Sequence, residues 1–514
     1  MTSLPSYLAA AKPVPMANRA PWYKTIAPTY AGIMLWFVFW SESVKGAGTP
    51  GGVLSAGLGP ALLGLVVAAL ICHFLYYLVP AMLGMKTGFP LYVVGTSTYG
   101  AKGGLFMPGL LMGLLQFGWL AVNAFAVGKV LCECLNIGMR VSPTGGNEVV
   151  VPGAVHGALA TAFAVIAAFI ALKGIQYVAR VATYLPLIPL VVMVILLAKT
   201  CGGLGGFDAE KVINAKPPQV AAAVEAASVA SATPAPLNAW QVIGVMCIYV
   251  VGFFATAGAA GTDIASNSRN ESDVHWGGLV GIALTTVIAS GAAMLIIAGA
   301  YGSNMVKPDH LGNLNPVTLM PDLLGSKSAF LVVVTKDSVT LLGDRLWSQL
   351  PNIALIGLAI SSFPGACFSA FIAANSFKTT MPKVNPLISV GLGTLVTVIL
   401  AVTGVVGKVI WVFVVIGASF GPVCGAMLAD YLLEGRKWSG PRAGFNPAGW
   451  ISWIVGFAVG AFNLVAGMVP QLSAWQNYVP VPPVAAMVVG FVLYLVLSLL
   501  GARTKTLEMP QTAV

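Results

Sequence analysis

The sequence predicts an all-α polytopic membrane protein with twelve transmembrane helices. Three observations predict it. Of 514 residues, 58% are hydrophobic and only 8% are charged, and the mean hydropathy is +0.88. An ordinary soluble domain is about 25% charged, so a soluble fold of this composition could not cover its surface with polar groups. The apolar residues also come in continuous blocks that reach the ~20 residues a helix needs to cross a bilayer. A transmembrane barrel would instead alternate apolar and polar residues. These observations exclude a cytosolic enzyme, a disordered chain and a nucleic-acid binder.

Taken in order, the blocks place spans one to twelve at 27–46, 58–84, 104–135, 152–172, 178–199, 239–262, 276–301, 351–376, 385–406, 408–433, 449–469 and 481–501. Residues 201–238, rich in Ala and Pro, and 302–350, with scattered charge and room for short helices, read as long loops. The first 25 residues carry Pro, Lys and Arg but no apolar core, so no cleavable signal peptide is expected. The formal charge of +10 follows from membrane orientation. With the N-terminus inside, the inner segments collect Lys86, Lys102, Lys173, Arg180, Arg269, Arg436 and Lys437 among others. The short outer connections hold only Lys129, Arg140 and Lys408, with Lys45 near a span end. Both termini are therefore expected in the cytoplasm, and the chain in the inner or plasma membrane. Cys132-Glu133-Cys134 is too sparse for a metal site without further ligands.

Two spans carry glycine-rich interruptions. The first runs from Trp40-Ser41-Glu42-Ser43 to Gly51-Gly52, and the second from Gly252-Phe253-Phe254 to Gly261. A helix in lipid must satisfy its own backbone, so breaks at matching places in two halves point to inverted repeats around a midplane site. Small residues at tight helix contacts give the competing explanation. Charge inside a span is costly and often functional. Glu42 falls in the first interruption, three residues before Lys45. It reads either as a proton or substrate site or as a salt bridge at a solvated helix end. Asp263 and Asp430 sit at inner span ends near Arg269 and Arg436, as gating or topology anchors.

Gln116, Trp119 and Asn123 are three and four residues apart on span three and share a face. An indole beside an amide suits a flat heteroaromatic ligand, since the ring stacks and the amide reads its edge; packing with a helix-bridging Asn explains the same pattern. On span eight, Ser361 and Ser362 with backbone carbonyls could coordinate a hard cation, or simply bond their own helix.

At these residues the sequence resembles the nucleobase:cation symporter family 1, most closely its bacterial cytosine permease branch. The resemblance rests on Phe39-Trp40-Ser41-Glu42-Ser43 with Gly48-Thr49-Pro50-Gly51, and on Gly84-Met85-Lys86-Thr87-Gly88 with Tyr99-Gly100-Ala101-Lys102-Gly103. It rests further on Gln116-Phe117-Gly118-Trp119, on Gly252-Phe253-Phe254-Ala255-Thr256-Ala257-Gly258 running to Asp263, and on Gly421-Pro422 with Ala429-Asp430-Tyr431. Order and spacing match from about residue 27 to 437.

The resemblance implies a LeuT-like five-plus-five inverted repeat with broken helices 1 and 6. Residues 1–26 would form a cytoplasmic tail, 27–433 the transporter core, 434–502 two additional spans and 503–514 a second tail. It implies a symporter importing a nucleobase or related flat nitrogen heterocycle with sodium, by alternating access. Trp119 and Phe254 would sandwich the ring, and Asn123, with Gln116, Phe253, Ser41 and Glu42, would complete the substrate site. Sodium would bind main-chain carbonyls near Phe37 and Trp40, the carbonyl of Leu358, and Ser361 with Ser362. The chain departs from the branch at Glu42 and Lys45, at Ala359, and along Phe363-Pro364-Gly365-Ala366. These departures open a second reading, a same-fold symporter for an amino acid or organic ion, with protons instead of sodium passing through Glu42. A membrane sensor or channel is the reading from another class. No catalytic cluster, phosphate loop or nucleophile elbow points to an enzyme. The expected partners are a small-molecule substrate and membrane lipid, not nucleic acid; the sequence does not give the oligomeric state.

Overall fold

The computed structural model describes residues 4–32, 36–45, 49–141, 147–215, 235–312, 314–325, 342–381 and 383–509. Among them, ten helices are long and apolar enough to cross a membrane. They are Leu58–Thr87, Leu105–Leu135, Ala154–Leu172, Arg180–Gly206, Ala239–Ala259, Glu271–Gly302, Gln349–Lys378, Val409–Leu433, Pro447–Met468 and Pro482–Leu499, and they match spans two to eight and ten to twelve. Span nine is the shorter apolar helix Pro386–Val402. Its start is set by Pro386 at the first position and by Asn385, whose side chain accepts from Leu387 N. Span six starts at a capping box, with Asn238 and Gln241 each accepting the other's backbone N–H. One short antiparallel hairpin, Met139–Val141 with Asn147–Val149, follows span three; the apolar pattern gave no sign of it.

The glycine runs coincide only in part with the ends of regular helix. Span one is built from two helices, Ile26–Ala31 and Trp36–Lys45, so Ser41, Glu42 and Ser43 are inside regular helix. The first of these helices ends with Gly32 as its cap, and residues 33–35 and, within the expected break, 46–48 lie outside the described residues. In span six, helix continues through Gly252 and Gly258, and the interruption is the single turn residue Ala260 before the short helix Gly261–Ala265. The glycines there serve close packing: Gly252 lies on the backbone of Phe413 and Gly258 on Tyr76.

The helix contacts carry the internal symmetry. Span one meets span seven, where Ala27 lies on Gly281, and span two meets span six, where Gly64 lies on Ile243 and Met246. Span three meets span nine: the ring of Phe117 fills the space a Cβ at Gly393 would need, and Thr397 Oγ1 donates to Phe117 O at 3.0 Å. Span four meets span eight through Phe163 and Phe363, whose ring centroids are 4.4 Å apart. Exchanging one with six, two with seven, three with eight and four with nine turns each contact into its partner. Spans eleven and twelve pack on span ten, where Trp453 Nε1 donates to Ser419 O at 2.9 Å.

The N-terminal tail lies across one end of this bundle. Val14 N donates to Gly88 O (2.9 Å) and Ala20 N to Asn267 O (2.8 Å). Arg19 Nη1 reaches Met85 O at 2.6 Å and Ser268 O at 3.4 Å. Gly88 has φ +68°, and a side chain there would meet Arg19 Nη2, so both its backbone and its neighbour require glycine. Trp22 N donates to Asp273, which Arg269 holds at 2.9 Å. The pairings expected at the inner span ends are thus different: Arg269 serves Asp273, Asp263 accepts from Leu91 N, and Asp430 pairs with Arg442 and Tyr494.

Candidate functional site

A cavity of about 260 Å³ lies between the two halves. Span one contributes Ala31, Gly32, Ser41 and Glu42, and span three contributes Trp119, Asn123 and Lys129. Phe253 comes from span six, Phe413 from span ten, and Leu358, Ala359, Ser361 and Ser362 from span eight. Its rim includes Asn315–Val317 and Val406–Val409, on the face opposite the N-terminal tail.

The walls are aromatic. Trp119 meets Phe253 edge-on, with centroids 4.7 Å apart, and Phe413 at 5.4 Å; Phe253 and Phe413 are 5.8 Å apart. Trp119 Nε1 donates to Thr256 Oγ1 at 3.2 Å, which fixes the indole plane across the span three–span six contact. Asn123 Nδ2 donates back to Trp119 O at 2.9 Å, so its amide is oriented from its own helix. Glu42 lines the cavity and accepts from the Tyr249 hydroxyl at 2.8 Å.

Several expected residues are placed differently. Phe254 does not line this cavity; it faces Tyr30 (5.7 Å) and a smaller space beside span seven. Phe253 lines both spaces, whereas Phe254, about 100° further round the helix, lines only the smaller one. Gln116 lines a small adjoining cavity below Trp119. Thr256 and Phe413 were not singled out from the sequence. Thr256 follows Phe253 at helical spacing, a signal that could have found it, whereas Phe413 is one aromatic within an apolar span.

The oxygens expected to hold sodium divide into two sets. Ser361 Oγ and Ser362 Oγ both donate to Leu358 O, at 2.8 and 3.2 Å, so three oxygens of span eight cluster on the cavity wall. Phe37 and Trp40 do not join them. Both lie inside the helix Trp36–Lys45, whose regular backbone bonding occupies carbonyls. Trp40 is fully buried, and the Phe37 side chain lies outside the described residues. The span-one residues on the same cavity include Ala31 and Gly32, at the end of the helix Ile26–Ala31, with Gly32 beside Pro364 of span eight.

Neither a family model nor a curated protein matches the sequence. Solved structures do match. Mhp1, a nucleobase-cation-symport-1 family transporter, in a closed conformation with bromovinylhydantoin bound, is similar with a TM-score of 0.60 at 13% identity, over 95% of this chain and 93% of that one. Inward-facing Mhp1 gives 0.54 at 15% identity, over 96% and 95%. A Na+-coupled sialic acid symporter in its substrate-bound outward-open state gives 0.55 at 13% identity, over 96% and 92%. At these identities the likeness is one of fold, and it extends over nearly the whole chain: the protein has the LeuT-like architecture of inverted repeats with interrupted first and sixth spans.

Proposed function

We propose that the protein is a secondary active transporter that imports a flat nitrogen heterocycle of nucleobase type, driven by sodium. The observation that carries this reading is one cavity, between the two halves, that has an aromatic wall on one side and a cluster of span-eight oxygens on the other. The likeness in fold to symporters supports it. In this reading the ring stacks on Trp119 against Phe253 and Phe413, and Asn123, with Ser41, reads its edge. Phe253 takes the role that the family resemblance implied for Phe254. Leu358 O, Ser361 and Ser362 hold sodium together with span-one backbone at Ala31–Gly32. The hydroxyls give up their bonds to Leu358 O and turn toward the ion. Because the ion needs span eight and span one together, it favours the arrangement that also completes the substrate site. Coupling is then a difference in affinity between states.

The basic inner segments put the N-terminal face in the cytoplasm. The cavity rim then faces outside, as import requires. A second reading, proton coupling through Glu42, rests on its place in the cavity wall and its bond from Tyr249. Uptake by reconstituted vesicles tests both. The account expects saturable uptake of uracil, cytosine or hydantoin that needs an inward sodium gradient. Uptake that follows a proton gradient and is lost in Glu42→Gln would favour the second reading. No uptake of any heterocycle would overturn both.

A further inference from the structure

The polar groups below Trp119 are more than the ring-stacking role uses. A space of about 50 Å³ adjoins the main cavity, sharing Trp119, Asn123 and Phe253 with it, and adds Gln116, Thr256 and Ser369. Gln116 is only 4% exposed, yet its one hydrogen bond among the described residues is a 3.4 Å contact from Nε2 to the Met112 thioether, a weak acceptor. Ser369 is 6% exposed and its hydroxyl makes no hydrogen bond within the described protein. Thr256 accepts from the Trp119 indole and keeps its own proton to give. Buried polar groups are normally paired. Here a side-chain amide and a hydroxyl with unused capacity converge on a space that exceeds the ~10–15 Å³ a water needs.

We infer that this annex is the specificity subsite of the transporter, and that it takes a ring edge carrying a hydrogen-bond donor beside an acceptor. The inference rests on the function proposed above and narrows its substrate class. A primary amide presents one acceptor and one donor side by side, so Gln116 pairs with a lactam edge (N–H next to C=O) or an amidine edge (ring N next to NH2). Ser369 and Thr256 serve the remaining lone pairs. The ring itself stays on Trp119, which the annex shares with the main cavity, and its edge enters the annex. A substrate without such an edge would leave Gln116 unpaired, and that is how the site rejects it.

The test compares uracil, cytosine and hydantoin with their mono-N-methylated derivatives in equilibrium binding to the full-length protein in sodium. For whichever ring binds, one methyl isomer, with the annex edge blocked, should bind about tenfold more weakly while another isomer is tolerated. Gln116→Met keeps the length and removes the hydrogen bonds, and it should bring the isomers within about twofold of one another. Ser369→Ala should narrow the gap less and guards against misfolding of the first variant; both should keep the ligand-free melting temperature. Wild-type protein that binds a ring but treats all its methyl isomers alike would overturn the annex and leave the proposed function standing. Wild-type protein that binds none of the rings would overturn the proposed function, and the annex with it.

Discussion

The two ends of the bundle are built differently. At the N-terminal end, backbone and side chains stitch the spans together. The tail bonds to Gly88 and Asn267, and Arg19 reaches Met85 and Ser268. Lys86 pairs with Glu271 at 3.0 Å, and Arg442 joins Asp430 and Glu434 to the carbonyl of Ser97. At the other end a cavity runs inward to Trp119 between Lys129, Asn315 and Val406. One end has its polar groups spent on closure; the other leaves a cavity whose wall includes Trp119, Phe253 and Phe413. That difference tells which end a ligand enters and which end must come apart for it to leave.

The comparison breaks first at the aromatic wall. Trp119→Ala removes the stacking platform, and substrate affinity should fall by about ten- to a hundredfold, from stacking worth ~1–3 kcal/mol. Calorimetric binding measures it, and unchanged affinity would place the ligand elsewhere. The ion side comes next. Ser361→Ala with Ser362→Ala should abolish sodium dependence while leaving the weak sodium-free binding; persistence of the dependence would move the ion off span eight.

The stitched end gives smaller effects. Arg19→Ala removes charge-assisted bonds worth about 1.5–3 kcal/mol, which should speed amide exchange at 85–88 and 267–268 without touching exchange near Trp119. Equal change at both ends would deny that the tail closes one of them.

The spans were legible because hydropathy needs no partner: the apolar blocks map to the observed helices, including 386–402, which is too short to stand out by length. The turn in span six was not legible at its residue: Gly252 and Gly258 mark where Phe413 and Tyr76 approach, and the chain turns at Ala260. The choice between Phe253 and Phe254 turned on helix rotation, which one sequence does not fix to within a residue. Thr256 and Ser369 are common membrane-helix residues whose meaning comes only from facing Trp119 and Gln116 across the bundle. The tail was read as polar and basic, but its hydrogen bonds depend on carbonyls over sixty residues away.

The most direct measurement is thermal unfolding of wild-type protein and Trp119→Ala with uracil, cytosine and hydantoin, in sodium and in choline. A ligand at 100 times its dissociation constant adds about 2.7 kcal/mol to stability. The account predicts that at least one heterocycle raises the wild-type melting temperature, more in sodium than in choline, and that Trp119→Ala loses the shift. A shift that survives in Trp119→Ala, or one given only by an amino acid or organic ion, would contradict it.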